Sequence, residues 1–359
     1  MSDDFGALPP DLIEALQAYP ATASAPLGLT GSPIATGLLH QTWAVESDEG
    51  RFIAQRVHPI FAPEIHENMA AVANHLANKG LETLTLCPTS SGAHFIDTPS
   101  GARWRLCRRI PGVTFDRCQG PDQARAAGAA VAAFHSALAD FEAPLAPLGF
   151  PFHQTDQHLQ DLRDSLEQYP DHPLHTSVRE LAQKIEVGLD QCRPPSELRQ
   201  RVVHGDLKLS NLLFSGLQPP DSDEVVALID LDTLSRLPLY FDLGDALRSW
   251  SNPRAEDTRE ACLDLPIFMA SVEGYRSGID FPLDPAEKKS FEGALEIVTL
   301  ELCIRYATDT LKESYFAWDS DRYESSAEHN WARATGQWSL YEQAVETASE
   351  RRVVFRDWP

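Results

Sequence analysis

The chain has 359 residues, 43% hydrophobic and 23% charged, the proportions of an ordinary globular protein with room for two cores. Lys and Arg total 30 against 53 Asp and Glu, and the resulting net charge of −23 repels nucleic acid and anionic lipid, so neither is an expected partner. No run approaches the roughly 18 to 20 apolar residues of a membrane helix, and the acidic start MSDDFGALPPDLIEALQAYP lacks the basic-then-apolar order of a signal peptide, so a cytoplasmic location is expected.

Residues 28–110 read as a β-rich segment. GLLHQTWAVES alternates as a strand, RFIAQRV is a second, and HFIDTPSGARWRLCRRI has the pattern of a hairpin turning at Pro99-Ser100-Gly101. Between them, PEIHENMAAVANHLANKG reads as a helix with Met69, Val72 and Leu76 on one face and Gly80 as its stop. After Pro111-Gly112 the pattern turns helical. PDQARAAGAAVAAFHSALADF opens with proline and carries Val131, Phe134, Leu138 and Phe141 as one stripe. Helical periodicity returns over 155–192, 256–277 and 286–316, the last with Phe291, Leu295, Val298 and Leu302 in one row. The β-like exception is 200–233. Cys87, Cys107, Cys118, Cys192, Cys262 and Cys303 show no Cys-x-x-Cys spacing, which argues against a zinc site or a disulfide framework.

Two segments of 200–233 carry the candidate chemistry, VVHGDLKLSNLLF at 202–214 and VVALIDLD at 225–232. Polar, acidic groups between apolar runs are costly unless solvated or paired. A metal ion is the partner expected for Asp206, Asn211, Asp230 and Asp232, whose hard oxygens suit Mg²⁺.

The run from His204 to Asn211 resembles the catalytic loop of the protein-kinase-like fold, with an Asp and an Asn five residues later. Together with Ile229-Asp230-Leu231-Asp232, it resembles the aminoglycoside phosphotransferase and choline kinase superfamily. That resemblance implies an α+β, two-lobed protein-kinase-like fold, with a nucleotide-binding lobe over about 25–110 and a mainly helical catalytic lobe over about 111–359. ATP and Mg²⁺ are the implied cofactors. In this reading Asp206 orients the acceptor hydroxyl and takes its proton, and Lys208 stabilises charge on the moving phosphoryl group. Asn211 and Asp230 hold Mg²⁺, with Asp232 as a second carboxylate near the metal. His204 is expected to brace the loop. Asp242 is expected to do so too, while Asp245 and Arg248 read as an ordinary stabilised helix start.

The N-terminal part departs from the kinase pattern. Gly37 opens the loop that would cover phosphates, but no G-x-G-x-x-G is present. The strand expected to carry a phosphate-binding lysine reads Phe52-Ile53-Ala54-Gln55-Arg56-Val57, so Gln55 or Arg56 stands in that place. Glu64 and Glu67 on the next helix are candidate partners of Arg56 or ordinary surface acids. The departures, with WRLCRRIPGVTFD and residues 300–340, are similar to the N-acetylhexosamine 1-kinase branch, over roughly 30–340. That branch often has Asn where this chain has Gly205. The similarity implies a sugar acceptor phosphorylated at its anomeric hydroxyl, with Arg305, Tyr315 and Trp338 as candidates for the sugar pocket; burial in a helical core is the usual account of the two aromatics. Choline, homoserine or aminoglycoside acceptors form the alternative within the superfamily. A catalytically silent, kinase-like binding protein is the alternative of another class, supported by the missing lysine and opposed by Asp206, Lys208, Asn211 and Asp230.

Overall fold

The structure, a computed structural model, describes residues 8–23, 29–34, 39–254, 256–356 and 358. Its contacts divide the chain into two units. The first takes the described residues up to Gly112 together with Asp140–Phe150 and Ala227–Leu234; the second takes the rest. After Gly112 the chain returns twice to the first unit.

In the first unit, α1 (Pro10–Leu16) and the short α2 (Pro20–Ala23) precede the strands. β1 (Thr30–Ile34), β2 (Gln41–Ser47), β3 (Gly50–Arg56), β4 (Ile96–Asp97) and β5 (Arg103–Arg108) form an antiparallel sheet of order β1-β2-β3-β5-β4. α3 (Ile65–Asn78) follows β3 and ends before Gly80, at φ 79°. Met69, Val72 and Leu76 are buried as their spacing predicts. The hairpin turn is closed by Gly101 N donating to Thr98 O at 2.8 Å, with Gly101 at φ 81°. Side chains alternate across a sheet. Val45, Phe52, Ala54, Trp104 and Leu106 pack with Leu12 and Leu16 of α1, so the opposite face carries Gln55 and its register partner Arg105. Neither α1 nor β1 was expected from the sequence. β1 contains Gly31 and Pro33, and proline is tolerated there because β1 is an edge strand.

The second unit is mainly helical. α4 (Pro121–Ala137), α5 (Thr155–Gln168) and α6 (His175–Cys192) lead to β6 (Arg201–Val203), β7 (Leu212–Phe214), β8 (Val225–Leu228, whose end belongs to the first unit) and β9 (Ser235–Leu237). α7 (Tyr240–Trp250), α8 (Leu265–Gly278), α9 (Pro285–Phe291), α10 (Ala294–Lys312), α11 (Ser326–Glu346) and α12 (Ala348–Arg351) complete it. The helix expected over 256–277 starts only at Leu265, capped by Asp264. The 286–316 pattern is two helices parted at Gly293. α4 and α8 cross closely because Gly128 has no side chain, and a Cβ there would collide with the Ser271 carbonyl. Among the described residues, no helix is long and apolar enough to cross a membrane, and all six cysteines are free.

Candidate active site

β6 leads directly into the loop of His204, Gly205 and Asp206, and a 3₁₀ turn at Leu209–Asn211 carries the chain into β7. Glycine meets a backbone requirement at Gly205, which has φ 87°. The loop's backbone amides are satisfied by the start of α7. Asp242 Oδ2 accepts from His204 N and Oδ1 from Gly205 N, both at 2.7 Å. Asp242 is fully buried and also bonded to His135 Nε2 at 2.8 Å. Burial pushes its carboxyl up, but His135, His204 and the loop amide outweigh that and hold it below the ordinary aspartate value. Asp245 Oδ2 accepts from Leu207 N at 2.7 Å, and Trp250 Nε1 donates to Leu207 O at 2.8 Å. Asp245 therefore does more than the stabilised helix start expected of it. It fixes the loop, while Arg248 binds its other oxygen and Glu256. Burial, helped by the nearby Asp206 charge, raises the Asp245 carboxyl despite Arg248.

On this frame, Lys208 Nζ donates to Asp206 Oδ2 at 3.0 Å, with the two side chains 37% and 33% exposed. Asp206 is thus paired yet open to a substrate. Burial works to raise its carboxyl; Lys208, then His204 and Arg248, prevail and hold it below the ordinary value, so it is ionised at neutral pH. His204 is fully buried, and its Nδ1 accepts from Asp206 N at 3.3 Å, as suits a brace. Asn211 Nδ2 donates to the Asp206 carbonyl at 2.8 Å and carboxylate at 3.1 Å. Its amide nitrogen is thereby engaged, which leaves the hard amide oxygen for a cation. That donor chemistry fits Mg²⁺.

Sequence reasoning missed a second brace. His153, at φ 48°, is bonded through Nδ1 to Glu301 Oε1 at 2.8 Å and through Nε2 to Gly205 O at 3.0 Å. Both partners are acceptors, so the doubly protonated ring is the form that satisfies both bonds. Burial lowers the imidazole's pKa, but Glu301 raises it above the usual histidine value. Glu301 lies one helical turn before Arg305 on α10, so the two share a face. The Arg305 guanidinium stands 5.6 Å from the Tyr315 ring centroid and 5.5 Å from that of Phe316, and its Nη2 lies 3.4 Å from Tyr315 Oη. Buried Asp309 builds the turn after α10 by accepting from the backbone of Ser314, Tyr315 and Phe316 at 2.8–2.9 Å. Tyr315 stays 44% exposed. Trp338 does not join them. It packs on Tyr341 at 5.0 Å, and its backbone lies by Cys303, on the side of α10 turned away from Arg305. No sequence signal marked His153, since a lone histidine before a helix has no motif.

In the first unit, Asp230 has φ 65°, a left-handed conformation that aspartate tolerates better than most residues. Asp232 is buried with both oxygens on Arg105, at 2.5 and 2.6 Å. The structure thus places this expected metal carboxylate in an ion pair. Burial favours its neutral form, but Arg105 and His40 hold it well below the ordinary value. Gln55 Oε1 accepts from Arg105 Nε at 2.9 Å. Arg56 points to the other face and bonds Gln41 at 3.4 Å in a pocket of about 350 Å³. Among the described residues neither Glu64 nor Glu67 pairs with it; Glu67 lies 4.0 Å from His94. Gly37 lies outside the described residues.

The family model described as "Phosphotransferase enzyme family" matches residues 30–275. A microcompartment-associated aminopropanol kinase superposes with a TM-score of 0.63 at 18% identity, covering 94% of this chain and 97% of that one. An aminoglycoside phosphotransferase from Alicyclobacillus acidocaldarius gives 0.57 at 18% identity, covering 99% and 96%. An ethanolamine kinase from Plasmodium vivax gives 0.54 at 10% identity, covering 90% and 87%. At such identities these structures establish the shared fold, and the family match adds the membership: this chain belongs to the phosphotransferase enzyme family.

Proposed function

We propose that the protein transfers the γ-phosphoryl group of ATP to a hydroxyl of a small molecule, with an N-acetylhexosamine or related sugar, phosphorylated at its anomeric hydroxyl, as the acceptor. The observation that carries the transfer is the Asp206 carboxylate, kept ionised beside Lys208 on a loop fixed by Asp242 and Asp245. Asp206 accepts the hydroxyl proton as the oxygen attacks phosphorus, and the bond to the β-phosphate oxygen breaks with its electron pair leaving on ADP. Lys208, beside Asp206, is the cation proposed to stabilise charge on the transferring group. Asn211 offers an amide oxygen and Asp230 a carboxylate, oxygen donors of the kind that would hold Mg²⁺. When bound, Mg²⁺ neutralises charge on the phosphate oxygens.

The sugar reading rests on Arg305 and Tyr315, a donor fork beside a half-exposed aromatic face on the side of α10 that reaches the catalytic loop through Glu301 and His153. Aminopropanol and ethanolamine, named for the similar structures, are the competing acceptors. Coupled ADP release should be measured with Mg-ATP against N-acetylglucosamine, N-acetylgalactosamine, glucose, galactose, choline, ethanolamine, aminopropanol, homoserine and kanamycin. Stimulation by a hexosamine, with the phosphate on C1 by phosphorus NMR, is expected. Stimulation by an amino alcohol alone replaces the acceptor and keeps the kinase, whereas no nucleotide binding at all removes the kinase.

A further inference from the structure

The first unit contains a buried charge network that phosphoryl transfer does not by itself require. Arg105 has its side chain fully buried, donates both terminal nitrogens to Asp232 and Nε to Gln55, and has Met69 Sδ 3.2 Å from Nη1. His40 Nε2 lies 3.4 Å from the same Asp232 carboxylate. Burying such a pair carries a large desolvation cost, and apolar side chains of similar volume often stabilise as well or better. Stability is therefore a weak reason for its presence.

Its position supplies a better one. Asp232 sits in the 3₁₀ turn Leu231–Thr233, immediately after Asp230 at φ 65°. On the other side of Asp230, Thr83 Oγ1 donates to Leu228 O at 2.7 Å, and Thr83 and Leu228 form a parallel bridge. The segment from Leu228 to Asp232 is thus held at both ends with Asp230 between. The guanidinium fork fixes the orientation of the Asp232 carboxylate as well as its position, since two parallel N–H donors match its two oxygens. Gln55, in the strand place that lacks the expected lysine, completes the network as an acceptor for Arg105.

We propose that the Arg105–Asp232 pair is a positioning device that presents Asp230 to the nucleotide-bound Mg²⁺, and that Asp232 is the anchor of this device and not a metal ligand. This rests on the reading of Asp230 as a metal carboxylate. The competing geometry is direct ligation, because ligand atoms of His40, Asp230 and Asp232 lie within 4.8 Å of one another. The two make opposite predictions for Arg105. Removing it leaves a ligating Asp232 free and more negative, which strengthens Mg²⁺ binding, whereas removing it from an anchor loosens Asp230 and weakens Mg²⁺ binding.

The test is calorimetric titration of ADP into the full-length protein across Mg²⁺ concentrations and in EDTA, for wild type, Asp230→Asn, Asp232→Asn, Arg105→Met and Arg105→Met/Asp232→Leu, with thermal unfolding as the control for folding. Arg105→Met and Asp232→Asn are each expected to weaken the Mg²⁺ dependence about 10–100-fold, the range for groups that orient metal ligands, with ADP affinity in EDTA unchanged. If Arg105→Met does not fold, Arg105→Lys decides: it keeps a cation beside Asp232 but not the two-point fork, so an anchor still loses Mg²⁺ coupling whereas a ligating Asp232 does not. The apolar double variant, which removes Asp232 as well, reports only whether the fold needs the pair. Unchanged or tighter Mg²⁺ coupling in a folded Arg105→Met or Arg105→Lys variant overturns the proposal. A wild-type protein whose ADP affinity ignores Mg²⁺ overturns instead the reading of Asp230, and this inference with it.

Discussion

Replacing Asp242 by Asn tests how much of the site depends on one buried carboxylate. Its two oxygens accept three hydrogen bonds, from His204 N, Gly205 N and His135 Nε2, at 2.7, 2.7 and 2.8 Å. Asparagine keeps one acceptor oxygen and puts an NH₂ group where the other stood. At least one buried N–H then faces a donor. A buried donor left unsatisfied costs about 1–3 kcal/mol, and hydrogen bonds to a charged acceptor are worth about 1.5–3. With the lost charge included, a destabilisation of about 2–5 kcal/mol is expected, which at about 2–4 °C per kcal/mol lowers Tm by roughly 4–20 °C. The same change frees the backbone on either side of the His204–Gly205 peptide, directly before Asp206. A displacement of about 1 Å in a reacting group costs about 10²-fold in rate, so kcat should fall by at least that factor while KM for ATP changes little. The assay is ADP release below the new Tm, paired with a thermal melt. A variant with wild-type Tm and wild-type kcat refutes the bracing role.

Asp206→Asn is expected to lower kcat about 10²–10⁴-fold, the usual contribution of a positioned base, with MgATP binding retained by calorimetry; unchanged turnover removes Asp206 from the mechanism. Arg305→Ala should raise KM for the acceptor about 10-fold or more, in line with a lost charge-assisted hydrogen bond, with ATP kinetics unaltered, and an acceptor KM that does not move excludes Arg305 from the pocket. The His153–Glu301 pair gives a pH signature. His153 is raised above 6.5, so its contribution to stability is complete below that value and is lost as pH rises through the folded pKa; Glu301 is lowered below 4.5, so its contribution is present above 4.5 and is lost as pH falls through its folded pKa. The Tm gap between wild type and Glu301→Gln should therefore be widest between 4.5 and 6.5 and close on raising the pH further, and a gap independent of pH would show that the pair is not ionic.

The chain's one-dimensional pattern was enough for the elements that depend on local rules and for the motif. Alternation marked β2, β3 and β5, periodicity marked α3 and α4, and the run from His204 to Asn211, with Asp230 after it, located the candidate catalytic loop before any coordinates. The paired strand positions also narrow a question left open by sequence. Once β3 pairs with β5 in register, pleating puts Gln55 and Arg105 on one face and Arg56 on the other. What the pattern cannot contain is the partner of a buried charge. Arg105 and Asp232 are separated by 127 residues, His153 and Glu301 by 148, and Gly205 and Asp242 by 37. No periodicity relates such positions, because each pair is selected by the desolvation cost of leaving either member alone in the interior. Asp232 and Asp245 look in sequence like a metal carboxylate and a helix-start acid, because an acidic residue's type does not reveal its partner. Folding pairs Asp232 with Arg105 and bonds Asp245 to the Leu207 amide and to Arg248, since only the packed chain determines which donors surround a buried carboxylate.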